Sequence, residues 1–182
     1  FEANSSALIQ DWLSDIYLRK AKTIYEFGCG TGHNLLQLRV INKKAVLWGL
    51  DWAKSSQQLI SKIQRTGLDN NIRSYNFDFF KPDHSFKLDG NGVVITVAAL
   101  EQTGKEFDKF INYLVKEKPK LCIHIEPIYE LLDENNLLDL FSIKYFQKRN
   151  YLWGLLNYLR KLEKQKKIKI IRVQRTYVGS LF

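Results

Sequence analysis

The chain has 182 residues, of which 45% are hydrophobic and 13% aromatic, so it can bury the core of one domain without disulfides or a structural metal. Its two cysteines indicate neither a disulfide framework nor a metal cluster, and no apolar run approaches the roughly 20 residues that a membrane span needs. We therefore expect one cytoplasmic domain over residues 1–182, with no metal site and no membrane partner.

The formal net charge of +9 is unevenly spread along the chain. Residues 141–182 contain eleven Lys and Arg against one acid, Glu163, whereas residues 1–140 contain 17 bases and 18 acids. The simplest interpretation of this basic segment is a solvated helix face. The same segment can also attract nucleic acid, anionic lipid or an acidic substrate.

The first half of the chain alternates between helix and strand patterns. A helix-start signal and apolar residues at helical spacing predict a helix over residues 4–19. The strands and helices that follow are predicted, in chain order, at 23–27 (strand), 34–41 (helix), 45–50 (strand), 54–65 (helix) and 72–77 (strand). Residues 78–92 contain Pro82 and Gly90 and are predicted to be a loop.

The second half continues this alternation. Its predicted elements are a strand at 93–98, a helix at 105–115, a strand at 121–125, a helical region at 128–162 and a sixth strand at 168–173. Within 128–162, two helices are expected to meet near residues 145–150. Continuous apolar strands that alternate with helices predict an α/β three-layer sandwich, in which helices cover both faces of a mostly parallel sheet.

A glycine-rich turn lies between the first strand and the helix that follows it. In Glu26-Phe27-Gly28-Cys29-Gly30-Thr31-Gly32-His33, the glycines permit positive φ angles and a close approach of the backbone to a ligand. The start of the helix adds free N–H groups and the positive end of a dipole. The dinucleotide fingerprint Gly-x-Gly-x-x-Gly would need glycine where His33 stands, which argues against NAD(P). The turn suits instead a ligand that carries a carboxylate and an ammonium group.

The acidic-x-Gly-x-Gly-x-Gly arrangement from Glu26 to Gly32 resembles the first motif of class I S-adenosylmethionine-dependent methyltransferases. The resemblance covers residues 23–173 and implies a Rossmann-like, mostly parallel seven-stranded sheet. Only residues 176–182 remain for the seventh strand, which is therefore short or incomplete here. The resemblance also implies S-adenosylmethionine as cofactor and S-adenosylhomocysteine as product.

The resemblance implies a set of cofactor contacts along the carboxyl ends of the strands. Asp51 would accept hydrogen bonds from the ribose hydroxyls, and Trp52 would lie against the adenine. Asp78 would accept a hydrogen bond from the adenine amino group. The implied cofactor-binding residues are Glu26, Gly28, Gly30, Gly32, Asp51, Trp52, Asp78, Phe79 and Ala98. The two aspartates can instead be cap or turn residues, and Trp52 and Phe79 can be core aromatics.

Three side chains are candidate catalytic groups. Glu101 follows the fourth strand, and His124 and Glu126 stand at the end of the fifth, so all three belong to the edge where open α/β sheets bind ligands. A base there assists transfer when the acceptor is a hydroxyl or a protonated amine. His124 lies in an apolar run and can instead be a buried structural histidine. His33 can flank the carboxylate of the cofactor's methionine.

We therefore expect methyl transfer from S-adenosylmethionine to a small-molecule acceptor, directed to oxygen or nitrogen. The helix at 4–19 and the helical region at 128–162 are expected to cover the acceptor site. Two alternatives stay open: an RNA methyltransferase that uses the basic C-terminal segment, and a binding module without catalysis. Residues 98–102 lack the Asn/Asp-Pro-Pro-Tyr/Phe motif of amino-group transfer to bases.

Overall fold

The computed structural model of the chain describes residues 2–176, with side chains from residue 7 onward. Its elements, in chain order, are α1 (Glu2–Tyr17), β1 (Thr23–Phe27), α2 (His33–Ile41), β2 (Val46–Asp51), α3 (Lys54–Arg65), β3 (Ile72–Asn76), β4 (Val93–Val97), α4 (Asp108–Glu117), β5 (Leu121–Ile125), α5 (Leu137–Arg149) and α6 (Leu155–Lys164). Short 3-10 turns occupy Leu100–Thr103 and Tyr129–Leu131.

The strands form a five-stranded sheet with the order β3-β2-β1-β4-β5. All neighbouring pairs are parallel, with registers such as Glu26 opposite Gly49 and Thr96 opposite His124. The strand order reverses between β1 and β4. Open α/β sheets bind ligands at such a switch point, outside the carboxyl ends of the strands. The predicted α/β, Rossmann-like class is therefore confirmed, and its switch point directs attention to the turns after β1 and β4.

Two hydrophobic clusters lie on opposite faces of this sheet. On one face Leu35 of α2 and Ile60 of α3 pack with strand residues such as Ile24. On the other face Phe110 of α4 and Leu155 of α6 join a cluster of aromatic and aliphatic residues. Side chains alternate between the faces along each strand because the strand period is two residues. The result is the predicted three-layer arrangement.

The predicted number of strands is wrong for the described residues, because residues 168–173 form no strand. The backbone N–H of Ile170 donates to Glu163 Oε1 at 2.6 Å, and the Arg172 guanidinium lies 5.3 Å from the centre of the Trp12 ring. These residues bind side chains of α6 and α1 rather than a neighbouring strand. Residues 177–182, which make up nearly all of the predicted seventh strand, lie outside the described part of the chain.

Two predicted helical segments differ in extent from the observed ones. α4 begins at Asp108 rather than at residue 105, because Glu106 N–H closes a turn on the Thr103 carbonyl at 3.0 Å. In the region 128–162, residues 132–136 are not helical. α5 ends at Arg149, and the left-handed backbone of Asn150 (φ 51°) separates it from α6, near the junction that the sequence predicts.

Candidate active site

The three glycines after β1 all adopt left-handed backbone angles. Their φ values are 74° at Gly28, 52° at Gly30 and 78° at Gly32, a region that other residues adopt only at a cost. The Gly28 N–H donates to the Leu50 carbonyl at 2.7 Å, which fastens the turn to β2. A Cβ on Gly30 would meet no heavy atom within 4 Å. The turn therefore presents its middle backbone segment to open space.

Asp51, the last residue of β2, joins the turns that follow β1 and β2. Its Oδ2 accepts the Gly30 N–H at 2.8 Å, and its Oδ1 accepts the Ala53 N–H at 2.9 Å. The residue is only 8% exposed. Each carboxylate oxygen has a second lone pair, so both remain able to accept one more hydrogen bond.

Glu26 provides a buried carboxyl group directly below the glycine turn. Its Oε1 accepts a hydrogen bond from Asn34 Nδ2 at 2.6 Å, whereas its Oε2 has no partner among the described residues. Burial raises the pKa of Glu26 to about 8. The hydrogen bond from Asn34 lowers this pKa, whereas the negative charge of Asp51 raises it further. An unpaired buried carboxyl oxygen is costly, which makes it suitable for a cationic group or a hydrogen-bond donor of a ligand.

The two candidate aromatics have different environments. Trp52 is 73% exposed and is therefore not a core residue. Phe79 packs against Phe110 with ring centres 4.7 Å apart, and it also lies 3.5 Å from the position of a Cβ on Gly28. Phe79 thus combines a core contact with a place beside the glycine turn, whereas the Trp52 ring is available to a ligand.

Asp78 and Ala98 lie in the turns that follow β3 and β4. Asp78 Oδ1 accepts the Phe80 N–H at 2.7 Å, so this carboxylate stabilises the turn after β3. Its second oxygen, Oδ2, remains able to accept a hydrogen bond from a ligand. Ala98 is exposed and has a left-handed φ of 47°, which is unusual for a residue with a Cβ. Its N–H donates to the Ile125 carbonyl at 3.0 Å, which holds the turn against β5.

Glu126 and His124 belong to one hydrogen-bonded network under the turn after β4. The Glu126 carboxyl accepts the N–H groups of Ala99 at 3.2 Å and Leu100 at 3.1 Å. The buried Thr96 hydroxyl bonds to Glu126 and lies 2.9 Å from His124 Nδ1. Burial raises the pKa of Glu126 to about 7 and lowers the pKa of His124 to about 4. Glu126 therefore holds the turn, whereas His124 bonds to Thr96 within β4 and is neutral at neutral pH.

Glu101 lies in the 3-10 turn that follows, next to the start of α6. Its carbonyl accepts the Leu152 N–H at 2.8 Å, and the Gly104 carbonyl accepts the Trp153 N–H at 3.2 Å. The side chain is partly buried, and burial raises its pKa. The segment between α5 and α6 is thus fastened to the carboxyl edge of the sheet, beside Glu101.

α1 approaches the same edge from the opposite face of the sheet. A cavity of about 20 Å³ separates α1 from α2 and from the ends of β4 and β5, with Ser14, Asn34, Val97 and Ile125 in its wall. That volume is close to the space that one water molecule needs. α1 therefore packs closely beside Asn34, the residue that binds Glu26.

Sequence reasoning did not predict the roles of Asn34 and Thr96, which bind Glu26 and Glu126 and belong to no motif of their own. It also missed Gly49, in the interior of β2. A Cβ there would stand 2.3 Å from Ile60 Cδ1, so only glycine lets α3 pack behind the turn. A glycine inside a strand is the signal that would have found it.

The described part of the chain has no group of three or more His, Cys, Asp or Glu side chains that could hold a metal ion. Cys29 and Cys122 are free thiols, and burial raises the pKa of Cys122 to about 12. Within residues 2–176, no helix has the length and apolar character of a membrane span. The chemistry at the carboxyl edge is that of carboxyl groups, backbone amides and exposed aromatic rings.

Comparison with known proteins gives no match by sequence, since no protein-family model and no curated protein matches the chain. Solved structures do match. A protein from Galdieria sulphuraria assigned as a sarcosine dimethylglycine methyltransferase has a TM-score of 0.59 at 12% identity, over 93% of this chain and 63% of its own. The YcgJ protein of Bacillus subtilis has a TM-score of 0.57 at 14% identity, over 89% of this chain and 67% of its own.

A third solved structure carries ligands. Coclaurine N-methyltransferase, bound to N-methylheliamine and SAH, has a TM-score of 0.54 at 15% identity and is matched over 75% of this chain. The chain spans 42% of that enzyme. It thus covers only part of the length of the proteins that it resembles in structure.

Proposed function

We propose that this chain, which has the fold of class I methyltransferases, transfers a methyl group from S-adenosylmethionine to a small-molecule acceptor and leaves S-adenosylhomocysteine. One observation carries the proposal. At the switch point of the sheet, Asp51 binds the middle glycine of a left-handed turn, directly above a buried carboxyl oxygen of Glu26 that has no partner. A nucleoside with an amino-acid tail has ribose hydroxyls that can donate to Asp51 and an ammonium group that can donate to Glu26.

The residues around the turn fit the parts of such a cofactor. Asp51 retains lone pairs for the ribose hydroxyls, and the exposed ring of Trp52 provides a surface for the adenine. Asp78 has a second oxygen for the adenine amino group. The unpaired Glu26 oxygen suits the ammonium group, and the open space at Gly30 lets the cofactor approach the backbone.

The remaining residues of the proposed cofactor site shape the turns at this edge. Gly28 and Gly32 provide the left-handed turn. Phe79 lies beside Gly28, and Ala98 lies in the exposed turn across from it. Together these residues supply shape rather than charge, which is what a methionine chain and a purine ring require.

When bound, S-adenosylmethionine supplies an electrophilic methyl group on a sulfonium centre. The protein has to hold the acceptor in line with that centre and to exclude water. Glu101 is our candidate for the base, because it lies at the edge and burial raises its pKa toward neutrality. Glu126 acts as a positioning residue, since it accepts the N–H groups of Ala99 and Leu100, and His124 acts with it through the Thr96 hydroxyl.

The acidic segment after β5 favours a small neutral or cationic acceptor. Residues 126–136, which follow β5 at this edge, contain four acids and no base. A polyanionic acceptor such as RNA would meet repulsion there. α1 and the α5–α6 region border the same edge from two sides, so they are our proposed cover for the acceptor.

The proposal is tested by calorimetric titration of the chain with S-adenosylmethionine, S-adenosylhomocysteine and NAD. The matched variants are Asp51→Ala and Asp89→Ala, since Asp89 also accepts a backbone N–H, from Asn91 at 2.9 Å, but lies at the opposite edge. We expect micromolar binding of both sulfur cofactors, weakened at least about tenfold by Asp51→Ala and unchanged by Asp89→Ala. Absence of binding by the folded wild type, or binding of NAD alone, would refute it.

A further inference from the structure

Exposed lysines collect at the amino edge of the sheet, opposite the candidate active site. Three loops that lead into strands lie there, at residues 18–22, 42–45 and 118–120, and the segment 165–169 leaves α6. These four segments, the amino-edge loops, contain ten Lys and Arg and no acid. All ten side chains are exposed. Their positions place these ten bases at the edge of the sheet opposite the proposed cofactor site.

Buried hydrogen bonds fix the backbone of these loops. Asn42, only 5% exposed, donates from Nδ2 to the carbonyls of Leu18 and Ala21, both at 2.8 Å. Its Oδ1 accepts the Ala45 N–H at 3.0 Å, so one side chain ties the first two loops together. The Lys120 N–H donates to the Gly92 carbonyl at 3.0 Å, which fastens the third loop beside β4.

α6 brings the fourth segment to the same edge. It begins beside the carboxyl edge, where Trp153 N–H binds the Gly104 carbonyl, and it continues for ten residues. Ten helical residues span about 15 Å, the length of a short strand. The helix therefore ends at the amino edge, where Lys167 N–H binds the Leu162 carbonyl and Ile168 packs on the core.

The lysines of the amino-edge loops are not neutralised by neighbouring carboxylates. Among residues 7–176, whose side chains the structure describes, Arg19 forms an ion pair with Asp15, and none of the nine lysines forms one. Two of the nearby acids, Asp69 and Glu117, form ion pairs with Arg39 and Lys87, which lie outside the loops. Asp89 accepts hydrogen bonds from the Asn91 N–H and the Thr23 hydroxyl and keeps its negative charge, against ten bases in the loops. The edge thus keeps a strong positive field.

We propose that the amino-edge loops bind the phosphate backbone of a nucleic acid. Neighbouring strands lie about 4.8 Å apart, so the loops of β2 and β5, three strands apart, are separated by about 14 Å. A single small anion cannot contact lysines across that distance, whereas a row of phosphates can. Lysines that meet phosphates release counterions, which supplies affinity without reading bases.

The composition of the loops favours nucleic acid over a membrane or a protein partner. Within these four described segments, no large apolar side chain is exposed. Interfacial membrane binding buries apolar residues, and the centre of a protein interface is enriched in aromatic and apolar groups. A phosphate backbone requires neither. The nucleic acid is a docking partner rather than the methyl acceptor, so this inference does not depend on the proposed function.

The test is fluorescence anisotropy with a labelled 20-nucleotide RNA of mixed sequence, measured at several salt concentrations. The test variant combines Lys22→Ser, Lys43→Ser, Lys44→Ser and Lys120→Ser. The matched control combines Lys54→Ser, Lys81→Ser, Lys144→Ser and Lys148→Ser, four exposed lysines outside the loops. Far-UV circular dichroism and the thermal midpoint show whether each variant is folded.

We expect the wild type and the control to bind the RNA, with affinity that falls steeply as salt rises. In the test variant, Kd should rise at least about tenfold, and the slope of log K against log salt should fall by about three, or 0.7 for each lysine. If that variant does not fold, Lys43→Ser with Lys120→Ser gives half of this slope change. Absence of RNA binding, equal losses in both variants, or binding only to phosphatidylglycerol vesicles would overturn the proposal.

Discussion

Gly28 and Ala99 lie so close together that a Cβ on Gly28 would stand 2.4 Å from the Cβ of Ala99. The first residue follows β1 and the second follows β4, so this contact closes the switch point of the sheet. Gly30, two residues later, would meet nothing within 4 Å. One glycine is therefore needed for packing, while the other leaves room for a ligand.

Gly28→Ala and Gly30→Ala are expected to fail in different ways. Gly28→Ala adds a clash to the cost of a left-handed alanine, so its free energy of unfolding should fall by at least about 2 kcal/mol. Gly30→Ala should lose only about 1 kcal/mol, because its Cβ enters open space. Its affinity for S-adenosylhomocysteine should nevertheless fall at least about tenfold, since the methyl group occupies the proposed cofactor space.

Urea unfolding and calorimetric titration of both variants measure these two effects. Gly67→Ala is the matched control, since Gly67 also has a positive φ, of 73°, and an empty Cβ position far from the turn. It should reproduce the stability loss of Gly30→Ala without the loss of affinity. Wild-type affinity in Gly30→Ala would contradict the proposed place of the cofactor.

Trp52→Ala is expected to weaken cofactor binding without lowering stability. The ring is 73% exposed, so little packing is lost when it is removed. Stacking of a base on an aromatic side chain contributes about 1–3 kcal/mol, which predicts a loss of affinity between about fivefold and a hundredfold. Trp153→Ala, at 46% exposure and on the α6 side of the edge, is the control. Equal affinities of the two variants would remove Trp52 from the adenine site.

Glu26→Gln is expected to make the protein relatively more stable as pH rises. Burial raises the pKa of Glu26 from 4.5 to about 8, so the stability that it contributes is complete below 4.5 and is lost as pH rises through about 8. The variant lacks this titration. Its thermal midpoint relative to wild type should therefore increase between about pH 5 and about pH 9, by a margin corresponding to about 2 kcal/mol or more.

His124→Gln should show the opposite trend and serves as the paired control. Burial lowers the pKa of His124 from 6.5 to about 4, so its contribution is complete above 6.5 and is lost as pH falls through about 4. The variant should approach or pass the wild type in stability as pH falls in that range. Parallel pH curves for wild type and both variants, measured by scanning calorimetry, would contradict the assigned burial of the two groups.

Much of the fold was predictable because the strong signals are local. The strands β1, β4 and β5 were predicted within one residue of their observed bounds, and the glycine turn after β1 was predicted to approach a ligand. The position of Asp51 was predictable for the same reason, since an acid at the end of a parallel strand lies at the carboxyl edge of the sheet. The distances to Gly30 and Ala53 confirm only that the carboxylate joins both turns.

The features that the sequence could not show depend on tertiary contacts. Residues 168–173 have a strand pattern, but they bind Glu163 of α6 and Trp12 of α1, and no strand forms. Glu126 could not be separated from a catalytic acid by its position alone. Its contacts with Ala99 and Leu100 depend on how the turn after β4 folds back over β5, which no local pattern encodes.

Glu126→Gln and Glu101→Gln are expected to separate a positioning residue from a catalytic one. An amide offers one acceptor where the Glu126 carboxyl serves the N–H groups of both Ala99 and Leu100. One buried N–H is then left without an acceptor, which should cost about 1–3 kcal/mol of unfolding free energy. Glu101→Gln should keep stability within about 0.5 kcal/mol, because it is only partly buried in the turn.

Activity should be affected more by Glu101→Gln than by Glu126→Gln, which is the reverse of the order for stability. With an acceptor obtained from a screen of amines, phenols and sugars, Glu101→Gln should lower kcat about a hundredfold and remove the acidic limb of its pH profile. Glu126→Gln should leave that limb in place, because its effect passes through the position of the turn. S-adenosylhomocysteine formation measures both. If Glu126→Gln abolishes the acidic limb while Glu101→Gln keeps it, the two roles are exchanged, and the base is the carboxyl whose pKa burial raises to about 7.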